Sequence, residues 1–153
     1  MTLAGAAALA MVLGAVPSGL LAPAAAEDPL CSATQCEFVS PTGGIGCVIT
    51  VGDPTGIPDS ASCEWSDEER AQSAKLLPSG ALEPCINLMA SVVDRCESED
   101  SGSVSDLPKL GYGQTAALGP FSCLAEAEGI TCTAAPSGRG FTINTAGILP
   151  IGI

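Results

Sequence analysis

The chain has 153 residues, of which 17 are acidic and 5 basic, and its formal net charge is −12. An acidic surface repels phosphate backbones, so the composition disfavours nucleic acid and anionic membrane surfaces as partners. The chain contains no histidine, which removes the usual general base at neutral pH and the commonest zinc ligand. The length predicts one domain with a small core, and no cofactor or metal ion is expected.

Residues 1–26 form an uncharged apolar run that ends in three alanines. This run predicts a signal peptide that is cleaved after Ala26, so that the mature chain begins at Glu27. The alternative is an uncleaved anchor, because the run approaches the roughly 20 residues that a membrane-spanning helix needs. Pro17 interrupts the run and favours cleavage. We therefore expect a secreted or envelope protein without stable membrane insertion once the leader is removed.

All eight cysteines follow the leader, and an even number in a short exported chain predicts four disulfides. Many pairings are open, but short loops cost the least entropy to close, which favours neighbours in the sequence. No C-x-x-C spacing occurs, so neither a zinc site nor a redox-active thiol pair is predicted. The expected disulfides are Cys31–Cys36, Cys47–Cys63, Cys85–Cys96 and Cys123–Cys132.

The first half of the chain predicts short strands separated by turns. Residues 27–36 are expected to be an N-terminal extension, and residues 37–153 a β domain stabilised by disulfides. The β-branched run at 48–51 is the best strand signal, and it would place Cys47 opposite Cys63. In chain order, the predicted elements are a strand Glu37–Ser40, a turn Pro41–Gly44, a strand Ile45–Val51, a loop Gly52–Asp59 and a strand Ala61–Trp65.

Two segments carry helical signals. Ser66 and Glu69 resemble a capping box, and the acidic residues after Ser66 suit the positive end of a helix that runs to about Leu76. Residues 83–96 fit either a helical stripe with Pro84 in its first turn or a strand at Leu88–Arg95. In one continuous helix their two cysteines would lie about 16 Å apart, too far for a disulfide, so that pairing requires the segment to bend.

The stretch 107–141 is predicted to form the centre of the fold. It contains a predicted strand pair, Gln114–Leu124 and Gly129–Ala134, which carries two cysteines and is joined by an acidic turn at 125–128. Gly44–Cys47 repeats the pattern of Gly129–Cys132, which indicates two similar units. Together these patterns predict a mainly β fold: a small disulfide-stapled antiparallel domain with one or two short helical segments, after an N-terminal signal peptide.

Two acidic stretches raise the question of cation binding. Residues 97–106 lack the spacing of an EF-hand loop, so a solvated loop is favoured there. The acidic residues at 67–69 lie beside Trp65, the only tryptophan. They allow a cation or peptide site, but a helical turn with solvated carboxylates is the favoured interpretation.

Five motifs follow one another in the chain: SPTGGIGC at 40–47, LGYGQT at 110–115, FSC at 121–123, GITCT at 129–133 and GRGF at 138–141. In this order they resemble a family of small secreted actinobacterial proteins of mycobacterial type and unknown function. Members of that family carry SPSGNI-x-C, LGYGQT, GVTC and GHGF or GHFF motifs. The resemblance covers roughly residues 38–145, and it implies an exported, disulfide-linked, mostly β domain with no established activity.

The leading functional hypothesis is an exported, non-catalytic binding or structural module, because the sequence has no nucleophile motif, no cofactor motif and no histidine. An extracellular or cell-envelope protein is the expected kind of partner. One alternative is a secreted hydrolase that uses carboxylates alone. A third hypothesis is a protease inhibitor that uses an exposed loop at Pro54–Pro58.

Four residues are the candidate ligand contacts: Tyr112, Gln114, Arg139 and Phe141. Glycines beside them let a backbone approach a ligand, while an aromatic ring and a guanidinium supply contacts. The structural alternative is that the two aromatic side chains cover the sheet and that the arginine lies at a turn. No catalytic residue is predicted.

Overall fold

The computed structural model describes residues 30–88 and 106–152, which form ten strands and no helix. The predicted mainly β, disulfide-stabilised fold is confirmed. The predicted leader at 1–26 lies outside the described residues, as does most of the acidic stretch 97–106. Within the part of the chain that the structure describes, there is no helix long and apolar enough to cross a membrane.

The strands follow one another as two consecutive meanders. Each meander is a five-stranded antiparallel sheet, with the orders β1-β2-β3-β4-β5 and β6-β7-β8-β9-β10. The strand bounds in the first sheet are β1 Gln35–Val39, β2 Ile45–Thr50, β3 Ser60–Ser66, β4 Arg70–Leu76 and β5 Leu82–Leu88. In the second sheet they are β6 Thr115–Leu118, β7 Phe121–Glu126, β8 Gly129–Ala134, β9 Arg139–Asn144 and β10 Gly147–Ile151.

The two sheets pack face to face as a sandwich. β1 and β2 lie against β6, and β3 and β4 lie against β9. The inward side chains include three phenylalanines, Phe38, Phe121 and Phe141, which are almost completely buried. Burial alternates along β4, β7 and β8, as the two-residue period of a strand requires.

The helix predicted from Ser66 to Leu76 is wrong, because this segment is the hairpin between β3 and β4. The Asp67 carboxylate accepts hydrogen bonds from the backbone N–H groups of Glu69 and Arg70, at 2.9 and 2.7 Å. An aspartate that closes a turn in this way competes with helix capping by Ser66. After the turn, burial alternates along β4, with Ala74 and Leu76 fully buried.

The predicted strand Gln114–Leu124 is a hairpin rather than one strand. Gly119 adopts a φ of 55° and, with Pro120, turns the chain between β6 and β7. The acidic turn is also shorter than predicted, since Glu126 still belongs to β7. For the ambiguous segment 83–96, a helix that begins near Pro84 is wrong, because β5 continues to Leu88. The strand alternative Leu88–Arg95 lies outside the described residues apart from Leu88.

Three of the predicted disulfides are confirmed: Cys31–Cys36, Cys47–Cys63 and Cys123–Cys132. Cys85 is also disulfide-bonded, whereas Cys96 lies outside the described residues. Disulfides in this number indicate that the chain folds in an oxidising environment. The Cys31–Cys36 bond ties the predicted N-terminal extension to the first sheet, where the Glu37 N–H donates to the Leu30 carbonyl at 2.9 Å.

The two central disulfides occupy equivalent positions in the two sheets. Cys47–Cys63 joins β2 to β3 and Cys123–Cys132 joins β7 to β8, in each case between directly opposed residues. The repeat inferred from the sequence therefore exists, but its alignment was wrong, because Cys47 corresponds to Cys123 and not to Cys132. Across the sandwich, the Cys63 and Cys132 sulfurs lie 3.6 Å apart. We call these four residues the core cysteines.

Candidate binding surface

The outer face of the second sheet lacks charged side chains over two adjacent cross-strand rows. Between the inward positions, the strand register aligns one outward residue from each strand in each row. The first row is Thr115–Leu124–Thr131–Thr142–Leu149, and the second is Ala117–Ser122–Thr133–Gly140–Ile151. We call these ten positions the neutral face.

The equivalent rows of the first sheet are charged. The row that corresponds to the first row of the neutral face is Glu37–Val48–Ser62–Lys75–Glu83, and the next contains Glu64. The two sheets therefore share a strand arrangement but differ in the charge that they present. Because they belong to one chain, the first sheet is an internal control for the second.

The neutral face has both hydroxyl and aliphatic groups at its surface. Leu149, on the edge strand β10, is 66% exposed and is among the most exposed large apolar side chains of the described residues. Towards the middle of the sheet, the hydroxyl groups of Thr131 and Thr142 are 2.8 Å apart and hydrogen-bond each other. The two hydroxyl groups thus partner each other within the sheet, in the same row as the aliphatic side chain of Leu149.

The sheet edges are poorly suited to strand addition. Val39, at the end of β1, exchanges hydrogen bonds of 2.9 Å with Pro108 and Leu110, so a neighbouring segment covers that edge. The edge strands β5 and β10 contain Pro84 and Pro150, and proline cannot donate to a sheet ladder. β6 has only four residues. A partner is therefore expected to contact a face of this sandwich rather than extend a sheet.

The structure does not bring the four sequence-predicted ligand residues together. Phe141 is completely buried in the core. Tyr112 is 60% exposed on the turn before β6, and the Gln114 side chain closes that turn by accepting a 2.9 Å hydrogen bond from the Gly111 N–H. The Gln114 carbonyl accepts a hydrogen bond from the Ala125 N–H on β7. Ala125 pairs with Ile130 on β8, whereas Arg139 pairs with Ala134, four residues further along β8. Arg139 therefore lies about 13 Å along the sheet from Gln114.

Arg139 packs against the first sheet. A Cβ atom added at Gly80, in the turn before β5, would lie 3.0 Å from the Cβ of Arg139 and 2.6 Å from the Ser137 hydroxyl oxygen. This close approach explains a glycine at position 80, which also has a φ of 85°. Arg139 thus contributes to the contact between the sheets, in agreement with its placement at a turn.

The tryptophan considered as part of a cation site already has a cation beside it. The guanidinium carbon of Arg70 lies 5.0 Å from the centre of the Trp65 ring, which is within the range of a cation–π contact. The same guanidinium donates a 2.6 Å hydrogen bond to the Thr145 carbonyl in the turn between β9 and β10. Next to it, the buried Gln72 amide donates to the Asn144 carbonyl. These contacts join the two sheets at one end of the sandwich.

The loop proposed for a protease inhibitor is exposed and hydrogen-bonded. The Asp53 carboxylate accepts hydrogen bonds from the hydroxyl and backbone N–H of Thr55, and these bonds hold the pKa of Asp53 below its ordinary value. Such a carboxyl stays ionised at neutral pH and does not suit the role of a general acid, which the alternative of a carboxylate hydrolase would require. Ile57 is 42% exposed in the same loop. Inhibition by this loop stays a prediction.

The neutral face was not identified from the sequence, although a signal for it exists. Residues 107–153 contain only four charged side chains, Lys109, Glu126, Glu128 and Arg139, and their charges sum to zero. In a chain with a net charge of −12, this is a strong asymmetry. This asymmetry would have indicated an uncharged surface in the second half of the chain if β9 and β10 had been predicted as strands from the sequence.

The chain matches no protein-family model, no curated protein and no solved structure.

Proposed function

We propose that the mature chain is an exported, non-catalytic binding module whose neutral face binds another protein of the cell surface or envelope. The observation that carries this proposal is the difference between the two sheets, since the outward rows of one are charged and those of the other are not. Depletion of charge is the compositional mark of the centre of a protein interface. The disulfides and the apolar leader at 1–26 support export.

The charge distribution determines the kind of partner. Because the neutral face cannot pair with charges, the centre of the contact is apolar and hydroxyl-bearing. At one end of the face, Glu126 ends β7 and Glu128 lies in the turn before β8, and the whole chain carries −12. A partner patch with an uncharged centre and a rim of lysine or arginine would complement both features. Two copies of this chain would instead bring together like charges.

The size of the neutral face predicts a weak contact. Five strands at about 4.8 Å spacing and two rows of side chains cover on the order of 300 Å². A stable interface buries about 800 Å² on each partner, so the neutral face alone corresponds to transient binding. A covalent trap is therefore a better test than co-purification.

The test compares two equivalent positions at the edges of the two sheets. Leu149 and Glu83 are both exposed and occupy the last place of equivalent rows. A photoreactive amino acid at position 149, in protein exported by its own host, is expected to give one dominant adduct with another protein. The same group at position 83 is expected to give none. Adducts are identified by mass spectrometry after cross-linking in intact cells.

A pair of charge variants controls for non-specific capture. Thr142→Asp places a carboxylate in the middle of the neutral face, and we expect it to lower the yield of the adduct at least tenfold. Ser73→Asp, on the outer face of the first sheet, is expected to leave the yield unchanged. Equal adducts from positions 83 and 149, an adduct of two copies of this chain, or a yield that Thr142→Asp does not lower would each contradict the proposal.

A further inference from the structure

We propose that the chain, when its core cysteines are reduced, binds one soft metal ion of the zinc and cadmium class between its two sheets. The ligands would be the four core cysteines, Cys47, Cys63, Cys123 and Cys132. In the oxidised structure these residues form two disulfides, so the proposed site belongs to the reduced chain alone. It is independent of the neutral face and of the function proposed for it.

The sulfurs of three core cysteines already lie close together, and the fourth is bonded to one of them. The Sγ atoms of Cys47, Cys63 and Cys132 all lie within 4.8 Å of one another, and Cys123 is bonded to Cys132. A tetrahedral ion with metal–sulfur bonds of about 2.3 Å has its sulfurs about 3.8 Å apart. The Cys63 and Cys132 sulfurs, at 3.6 Å, already have nearly that separation.

The fold delivers two ligands from each side. Each core pair lies on neighbouring strands at directly opposed positions, with Cα–Cα distances of 4.1 and 4.0 Å. The pairs point inward from opposite sheets, and packed sheets lie about 10 Å apart. A metal ion midway between the sheets is therefore within reach of all four side chains after small rotations. All four sulfur-bearing residues are at least 99% buried, so the ion would enter as the chain folds.

Reduction of the core disulfides precedes metal binding. A phosphine or thiol reductant supplies two electrons to each disulfide, which takes up two protons and becomes two thiols. The four thiols then lose four protons to solvent as four metal–sulfur bonds form. Four thiolates around a divalent ion leave a net charge of −2 in a buried site, and burial disfavours separated charges. An ion whose bonds to sulfur are more covalent is therefore favoured over one whose bonds are more ionic. Softer cadmium is therefore expected to bind more tightly than zinc, and a hard cation such as magnesium is not expected to bind.

Metal binding would be coupled to folding. The reduced chain has lost the bonds that close both hairpins, and one ion would connect all four strands that the two disulfides connected in pairs. A structural metal site forms only in the folded chain, so the ion shifts the equilibrium towards it. The reduced chain is therefore expected to bind one ion per chain and to regain its β structure when it does.

The experiment is a titration of the full mature chain, reduced with a phosphine under anaerobic conditions, with cadmium and then zinc. We expect thiolate-to-cadmium absorption to saturate at one ion per chain, together with recovery of the β circular-dichroism signal. Cys31→Ser/Cys36→Ser should behave as the wild type, whereas Cys63→Ser/Cys132→Ser should bind at least a hundredfold more weakly and remain unfolded. Binding that is the same in both variants, or binding without recovery of β structure, would overturn the proposal.

A second measurement does not depend on whether a variant folds. X-ray absorption at the zinc edge of the wild-type reduced chain should show four sulfur neighbours at about 2.3 Å. Oxygen or nitrogen neighbours, or fewer than four sulfurs, would place the ion elsewhere and would equally overturn the proposal.

Discussion

Replacement of all four core cysteines with alanine is expected to unfold the mature chain at room temperature. Cys47–Cys63 and Cys123–Cys132 close separations of 16 and 9 residues, and each such loop contributes about 3 kcal/mol by restricting the unfolded chain. The loss of both therefore removes about 6 kcal/mol, comparable with the whole stability of a small domain, about 5 to 15 kcal/mol. Loss of the sulfurs would also leave a cavity between the sheets.

Urea unfolding followed by circular dichroism and by Trp65 fluorescence measures this effect. A variant that lacks only one of the two core disulfides should lose about 3 kcal/mol of unfolding free energy and still unfold cooperatively. The matched control is Cys31→Ala/Cys36→Ala, whose bond closes a separation of only 5 residues and should contribute about 2 kcal/mol. If the variant without core cysteines kept a cooperative transition close to that of the wild type, the apolar core would be sufficient by itself.

Gly140→Ala is expected to destabilise the domain by at least about 3 kcal/mol, at or above the upper end of the usual cost of overpacking. A Cβ atom at this position would lie 1.9 Å from the Cys132 carbonyl oxygen. That oxygen belongs to the backbone of the neighbouring strand, so the clash can be relieved only if β8 and β9 separate. The separation would break the register that places Cys132 in the core.

Gly44→Ala is the matched control for this prediction. Gly44 is exposed, and a Cβ atom there would meet nothing closer than the Trp65 ring at 3.9 Å, which is ordinary van der Waals contact. The control should change stability by less than about 0.5 kcal/mol. Thermal unfolding of both variants beside the wild type gives the comparison. Equal transition temperatures for the two variants would contradict the close approach of β8 and β9.

The pairing of the described disulfides was predictable from the sequence because it depends on local geometry. A short turn between two strands brings residues such as Cys123 and Cys132 face to face, and the cost of loop closure favours the same neighbours. Contacts between the two sheets were not predictable in this way. The approach of Cys63 to Cys132 joins residues 69 positions apart, and no local pattern encodes it.

The incorrect helix shows where local signals compete. Ser66 and the acidic residues after it satisfy the rules for a helix start, but Asp67 satisfies those for a turn. The small residues Ala71, Ser73 and Ala74 give a weak hydrophobic pattern that fits both periods. Tertiary packing decided the outcome, since β4 is a central strand of its sheet and is hydrogen-bonded along both sides by β3 and β5.

The candidate surface was harder to predict than the fold. Tyr112, Gln114 and Arg139 stood out because aromatic, amide and guanidinium groups beside glycine are conspicuous in a chain with few aromatics. The neutral face contains no such group and is defined by what it lacks. It becomes visible only when the register aligns Thr131, Thr142 and Leu149 across three strands.

The central claim is that each sheet contains its own disulfide, in the strand register that aligns the neutral face. Disulfide mapping of exported protein, without reduction, tests this claim most directly. A protease that cleaves at acidic residues separates Cys47 from Cys63 at Asp53 and Asp59, and separates Cys123 from Cys132 at Glu126 and Glu128. We predict linked peptides that join 47 to 63 and 123 to 132, with no free core thiol. A linkage of Cys63 to Cys132, whose sulfurs are 3.6 Å apart, would contradict the account.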